Sequence, residues 1–182
     1  YEDTHHPIHC TAHCIAALEL FDAGPARAPA LLEPMRDSAE MERFLDALPW
    51  RDDPWRGSHR GAGLHAALTL TGQVTPEWRL RYAAWLAAHV DPATGLWAAG
   101  RIGPVAHNEV ETLFPHMAGT FHYLFALESD RAPHPAPEAL IDTCLALRRE
   151  GAFPLGKRIG FAEIDWVYCL NRAGRQTPHR WD

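Results

Sequence analysis

The chain has 182 residues and a formal net charge of −6, with 47% hydrophobic and 22% charged residues. This length predicts one domain with a substantial core, and the composition is typical of an ordinary soluble globular protein. Acidic and basic residues are interspersed without a basic stripe, which argues against nucleic acid as a partner. No run of eighteen apolar residues occurs, so the sequence predicts no membrane span.

Histidine and tryptophan are the unusual residue types of this composition. The 12 His residues are more than a core needs, so we expect some of them to face a polar cavity. The 7 Trp residues are expected to line the core or a ligand cavity. The 4 Cys residues are scattered, which is typical of reduced thiols in a cytoplasmic protein and not of a disulfide framework.

The opening segment combines several histidines with two cysteines. Thr11 is a suitable N-cap and predicts a helix over residues 12–21. His9 and His13 are four residues apart, and Cys10 and Cys14 repeat this spacing one position later. One hypothesis is a metal site or catalytic cluster, because imidazole and thiolate ligands suit zinc. The alternative is a helix start whose histidines make local hydrogen bonds.

The rest of the chain also indicates helices. Residues 22–37 are rich in Pro and Ala and predict a loop, and residues 98–111 predict a long functional loop. Glycines in the helix that Ser58 opens predict close packing against another helix or the approach of a ligand. No segment alternates as a strand does. The remaining predicted helices, some capped by Ser38, Ser58 and Thr75, cover residues 38–48, 58–70, 76–89, 115–128, 137–149 and 162–172.

Pairs of helices joined by a turn recur along the chain. The turns lie at residues 91–97 and 150–153, with a looser copy at 52–55. Their spacing of roughly 40–55 residues is that of paired-helix repeats, which must stack or close into a ring to bury their apolar faces. We therefore predict an all-α fold of paired-helix repeats forming one domain over residues 1–182. The first residue is Tyr1 and not Met, so we also expect that the chain could be a fragment of a longer one.

This repeat resembles the α/α toroid of terpenoid cyclases and protein prenyltransferases, and more loosely that of toroidal polysaccharide lyases. Residues 9–13, His-Cys-Thr-Ala-His, are similar to the Asp-Cys-Thr-Ala-Glu segment that begins an inner helix of oxidosqualene cyclases. His9 stands where that family has its catalytic aspartate, and His13 stands where it has glutamate. The resemblance implies a toroid or partial toroid more strongly than it implies an activity.

The resemblance also implies a site, because the second helix of each pair faces the central cavity of such toroids. It places His9 opposite His59. The predicted catalytic residues are His9, His13, His59, His116, His122 and Asp165. Of these, His13, His122 and Asp165 fall at equivalent positions and are the predicted ligands of a divalent metal ion such as zinc. The alternative is that each side chain makes hydrogen bonds only at its own helix start.

A second set of candidates lies on the long loop and the helix after it. Asn108 and Glu109 are predicted to bind a ligand, and His116 is suited to acid–base chemistry near neutral pH. Tyr123 or Tyr168 would serve as the proton donor. The set resembles that of polysaccharide lyases, which combine Asn, His, Tyr and Arg around an open cleft. The alternative is a solvated loop without a site.

Three functional hypotheses follow. The first is an enzyme whose His-rich central cavity performs acid–base or metal-assisted chemistry on a small molecule or a carbohydrate. The others are a non-catalytic helical-repeat binding module and a polysaccharide lyase. Trp97, Trp166 and Tyr168 complete the predicted ligand-binding residues, since aromatic rings stack on sugars, although such rings also belong to cores. We expect a cytoplasmic location, and the oligomeric state stays open.

Overall fold

A computed structural model describes residues 6–98, 102–107, 110–151 and 159–181. Within these ranges the chain forms seven α-helices and one short antiparallel hairpin. The predicted helical class is therefore confirmed. The helices are α1 (His6–Glu19), α2 (Ser38–Asp46), α3 (Pro54–Leu70), α4 (Pro76–His89), α5 (Phe114–Ser129), α6 (Pro137–Arg149) and α7 (Phe161–Gly174), and the strands are β1 (Val105–His107) and β2 (Val110–Thr112).

In the described part of the chain, none of these helices has both the length and the apolar character that crossing a bilayer requires.

Two helices are capped by an aspartate and not by the predicted serine, and one of them therefore begins earlier than predicted. Asp37, and not Ser38, accepts hydrogen bonds from the first backbone N–H groups of α2. α3 begins at Pro54 and not at Ser58, with Asp53 as its N-cap. An aspartate cap followed by proline is a strong start signal, because the acceptor satisfies a first-turn N–H and proline has no N–H to leave unpaired.

Two further differences concern the start of the first helix and the loop that precedes the fifth. α1 begins at His6 and not after Thr11, with Pro7 in its first turn, where a missing N–H costs nothing. Part of the predicted 98–111 loop is the β1–β2 hairpin, in which Val105 lies opposite Thr112. Strands of three residues are too short to show an alternating pattern in the sequence.

Alternate helices form one row. α1 contacts α3, α3 contacts α5, and α5 contacts α7, while α2 packs on α4 and α6 packs on α7. α3 and α5 run in the same direction. Ser58 in the first part of α3 meets His122 in the middle of α5, and His65 further along α3 meets Asp130 at the end of α5. These four helices are the ones that occupy equivalent positions in the sequence repeat.

Glycines allow the helices of this row to approach closely, as the sequence predicts. A Cβ atom at Gly61 of α3 would collide with the ring of Tyr123 on α5. A Cβ atom at Gly63 would lie 3.2 Å from the Cγ2 atom of Ile8 on α1. This close packing determines how α1 and α5 lie against α3. It thereby also determines the positions of the side chains that the three helices carry.

Candidate functional site

Four histidines meet where α1, α3 and α5 adjoin. The rings of His9 and His59 stack with their centroids 4.2 Å apart, and the rings of His59 and His122 meet edge to face at 4.4 Å. His13 lies edge-on to His9 at 4.3 Å. We call these four residues the histidine cluster. It contains four of the six side chains predicted as catalytic, and it places His9 opposite His59.

The shape of this cluster differs from the sequence expectation. The four rings pack against one another, so they form a compact group and not the lining of an open central cavity. His13 is exposed, whereas His9, His59 and His122 are partly buried. Solvent or a ligand therefore reaches the cluster from the side of His13.

Ser58 fixes the protonation pattern of His122. The Ser58 hydroxyl donates a hydrogen bond to the carbonyl oxygen of Trp55 at 2.5 Å, and its Oγ lies 2.9 Å from Nδ1 of His122. Because the hydroxyl proton is already used, Oγ accepts from Nδ1–H. The lone pair of His122 is then on Nε2. Ser58 is buried and absent from the predicted site, and no sequence pattern links residues 64 positions apart.

His122 stays neutral at physiological pH. Burial lowers its pKa to about 3, and the nearby imidazoles of His9 and His13 disfavour a further positive charge, while a hydrogen bond to the Ala118 carbonyl acts in the opposite direction. Desolvation and neighbouring like charges both favour the uncharged imidazole. The ring of His122 therefore stays an uncharged hydrogen-bonding group throughout the neutral range.

Aromatic rings border the histidine cluster. Trp55 stacks on Phe161 of α7 at 5.0 Å, and its ring lies 6.0 Å from that of His59. Phe121 meets His122 edge to face at 5.0 Å. Since Phe161 is 52% exposed, this border offers an accessible apolar surface next to polar imidazoles.

Asp165 lies on α7 and is not one of the four residues whose rings form the histidine cluster. It is 4% exposed on α7, and burial raises its pKa to about 7. Among the described residues, no three His, Cys, Asp or Glu side chains form a group that could hold a metal ion. The structure thus does not assemble His13, His122 and Asp165 as metal ligands, and zinc binding stays a prediction.

Two of the candidates for the second predicted site, His116 and Tyr123, are buried. His116 and Tyr123 are 1% and 0% exposed, so neither side chain is on a surface that a polymer could contact. Burial lowers the pKa of His116 and raises the pKa of Tyr123. Asn108 and Glu109 lie outside the described residues. The contacts of the buried pair are those of core side chains at the start and middle of α5.

The three predicted aromatic ligand contacts have internal partners. Trp97 is 1% exposed and its indole N–H donates to the Leu86 carbonyl at 2.8 Å, so its ring is a core element and not a sugar platform. The indole N–H of Trp166 donates to the Cys144 carbonyl at 2.8 Å. The half-buried Tyr168 hydroxyl donates to Glu128 at 2.6 Å. The sequence places Trp97 at the end of a turn and the other two residues within the last helix, but it does not show which way their side chains face.

A second polar cluster was missed by sequence reasoning. Nε2 of His65 lies 2.9 Å from Asp130, and Nε of Arg79 donates to the same carboxylate at 2.6 Å. Burial acts to raise the pKa of Asp130, but the hydrogen bonds and charges of His65 and Arg79 outweigh it and lower that pKa. The cluster ties α3, α4 and α5 together. Since His65 is 2% exposed, its role is structural.

Comparison with known proteins does not supply a function. No family model, no curated protein and no solved structure matches this chain. The function is therefore argued from the geometry of the histidine cluster.

Proposed function

We propose that the histidine cluster is the acid–base site of an enzyme that acts on a small hydroxylated molecule, with a sugar as the best-fitting class. The observation that carries this proposal is the Ser58–His122 hydrogen bond. With Ser58 as the acceptor, Nε2 of the neutral His122 ring would itself be an acceptor, in the same cluster as the exposed imidazole of His13. A sugar hydroxyl needs such an acceptor, and proton transfer needs a group in contact with water.

Two members of the cluster have different roles, and His122 is the one that binds the substrate. Its Nε2 lone pair accepts a hydrogen bond from a substrate hydroxyl, and its low pKa keeps that acceptor uncharged at neutral pH. Ser58 holds the ring in the required tautomer, so Ser58 is a positioning residue. A hydrogen bond of this kind contributes about 1 kcal/mol to binding.

His13 is the residue of the histidine cluster that transfers the proton. It is exposed, it lies edge-on to His9, and it can therefore exchange a proton with both solvent and a bound molecule. A positioned imidazole accelerates proton transfer by about 10²–10⁴-fold. The Trp55–Phe161 stack beside the cluster supplies an aromatic face for a sugar ring.

The fold supports a partial α/α toroid as the framework of this site. The row α1, α3, α5 and α7 corresponds to the inner layer of such a ring, with α2, α4 and α6 as outer helices. An experimental structure tests this part: a curved row with the histidine cluster on its concave side supports it, and a flat row contradicts it.

The test of the activity uses solvent deuterium. The purified chain is incubated in D₂O with aldoses, ketoses and hexuronates, and NMR follows the loss of the proton on the carbon next to the carbonyl group. We expect at least one sugar to exchange faster than without protein. His13→Ala lowers the exchange rate at least tenfold with little change in half-saturation, whereas His122→Ala raises the half-saturating concentration about tenfold.

His89→Ala is the matched control, because His89 is a partly buried histidine on α4 away from the cluster. It should behave like the unchanged chain. Exchange that is absent for every sugar, or that survives both cluster substitutions, contradicts the proposal. Saturable sugar binding without exchange favours the non-catalytic binding module instead. Buried His116 and Tyr123 give the lyase hypothesis no support.

A further inference from the structure

Two cysteines of α1 differ from the other two in the chain. Cys10 and Cys14 are exposed free thiols, whereas Cys144 and Cys169 are buried. Burial also raises the pKa of Cys169 well above its usual range, so that thiol is protonated and inert. Cysteine is among the residues most often buried in proteins, which makes an exposed pair on one helix noteworthy for its chemistry.

The helix places the two exposed thiols side by side. Cys10 and Cys14 are four residues apart within α1, so their Cβ atoms lie about 5–6 Å from each other on one face. Ile8, Ala12 and Ile15 form the buried face of the same helix. The thiols therefore stand on the free side of α1, where no described element packs on them.

We propose that Cys10 and Cys14 form a two-thiolate site for a soft monovalent metal ion, Cu(I). Thiolates are soft ligands and suit Cu(I), zinc and iron–sulfur clusters. Two metal–sulfur bonds of about 2.3 Å each span a distance that a pair of side chains one helical turn apart can reach. On binding, each thiol loses one proton and each sulfur donates one electron pair to the metal, without any change in oxidation state.

This site is distinct from the zinc site predicted at His13, His122 and Asp165. Zinc takes four ligands, whereas Cu(I) is satisfied by two thiolates in a linear arrangement. The site therefore does not require a third ligand, in agreement with the finding that no group of three metal-binding side chains occurs among the described residues. It is also independent of the acid–base proposal, because neither thiol belongs to the histidine cluster.

The test is an anaerobic titration of the reduced full chain with Cu(I) in competition with a coloured Cu(I) chelator. We expect one equivalent to bind and about two protons to be released per metal ion. Cys10→Ser and Cys14→Ser should each weaken binding at least 100-fold. A thiol reagent should modify two cysteines quickly and the buried pair only on unfolding.

The matched control moves one thiol without changing the number of thiols. Cys14→Ser combined with Ala17→Cys places the exposed thiols seven residues apart, about 10 Å along the helix axis, too far for one metal ion. This variant should bind as weakly as Cys14→Ser alone, with unchanged circular dichroism. Tight binding by the moved-thiol variant, or retention of the metal by the serine variants, overturns the proposal.

Discussion

Asp165 shows how one buried carboxyl group makes stability depend on pH. Its pKa is raised to about 7 by burial, so between about pH 4 and pH 7 the folded chain binds a proton that the unfolded chain has released. A group whose pKa is raised on folding supports the folded state at low pH. That support is lost as the pH rises through the folded-state value.

Asp165→Asn should therefore stabilise the protein under alkaline conditions. The amide has nearly the same shape as the carboxyl group and carries no charge to desolvate. We expect the free energy of unfolding at pH 8 to rise by about 2 kcal/mol, roughly half of the full linkage value because solvent screens part of the charge. The gain should shrink toward pH 4, and urea unfolding at both pH values measures it.

Asp142→Asn is the control for this prediction. Asp142 is a surface carboxylate whose pKa is lowered by the hydrogen bond from Arg180, so its contribution has the opposite sign. Its substitution should slightly destabilise the protein at pH 8. An Asp165→Asn variant that is also less stable than the parent at pH 8 would show that the carboxylate has a stabilising partner.

At the scale of elements, the contact between α3 and α5 depends on Gly61. A methyl group there would collide with the Tyr123 ring, which is itself fully buried against Trp50. The ring cannot move aside without opening the core. We expect Gly61→Ala to lower the free energy of unfolding by about 1–3 kcal/mol, as overpacked cores do. Urea unfolding at neutral pH is the measurement.

Gly24→Ala provides the comparison, because no atom lies within 4 Å of the methyl group that it would add. This substitution should leave stability unchanged or raise it slightly, since alanine restricts the unfolded chain. If the two variants unfold at the same urea concentration, α3 and α5 do not pack as closely as described.

The helices were largely predictable because their signals are local. Thr75 followed by proline marks the start of α4, and the apolar period of each helix continues to its end. The errors also have local causes. Ser38 and Ser58 were predicted as caps although Asp37 and Asp53 precede them. At α3 the stronger signal was Asp53, because proline follows it.

The candidate site was predictable in part. His9 and His13 share a helical face by spacing, and the repeat pairs their helix with those of His59 and His122. What the sequence could not supply is orientation across elements. The Ser58–His122 bond joins distant positions, and the burial of Asp165 depends on the rotation of α7 about its own axis. The repeat predicts how far along its helix a residue lies, but it does not predict which way the side chain of that residue points.

At the scale of the whole molecule, several buried imidazoles oppose folding in acid. The pKa of His122 is lowered to about 3 and that of His134 to about 4, in both cases chiefly by burial. Below about pH 6.5 the unfolded chain binds protons at these sites and the folded chain does not. Stability is therefore fully present above pH 6.5 and falls as the pH decreases toward the folded-state values.

Each of these two imidazoles contributes at most about 1.4 kcal/mol per pH unit. Proton binding by Asp165 acts in the opposite direction over the same range, so we expect the free energy of unfolding to fall by about 2 kcal/mol per pH unit between pH 6 and pH 4. Urea unfolding at half-unit pH steps measures this slope. His122→Asn retains a donor for Ser58 but does not titrate, so it should lower the slope by about 1 kcal/mol per pH unit. His179→Asn, at a partly exposed histidine paired with Asp142, should change it far less. Equal slopes for the two variants would mean that the imidazole of His122 takes up its proton as readily in the folded chain as in the unfolded one, and that the histidine cluster is more open to water than its packing indicates.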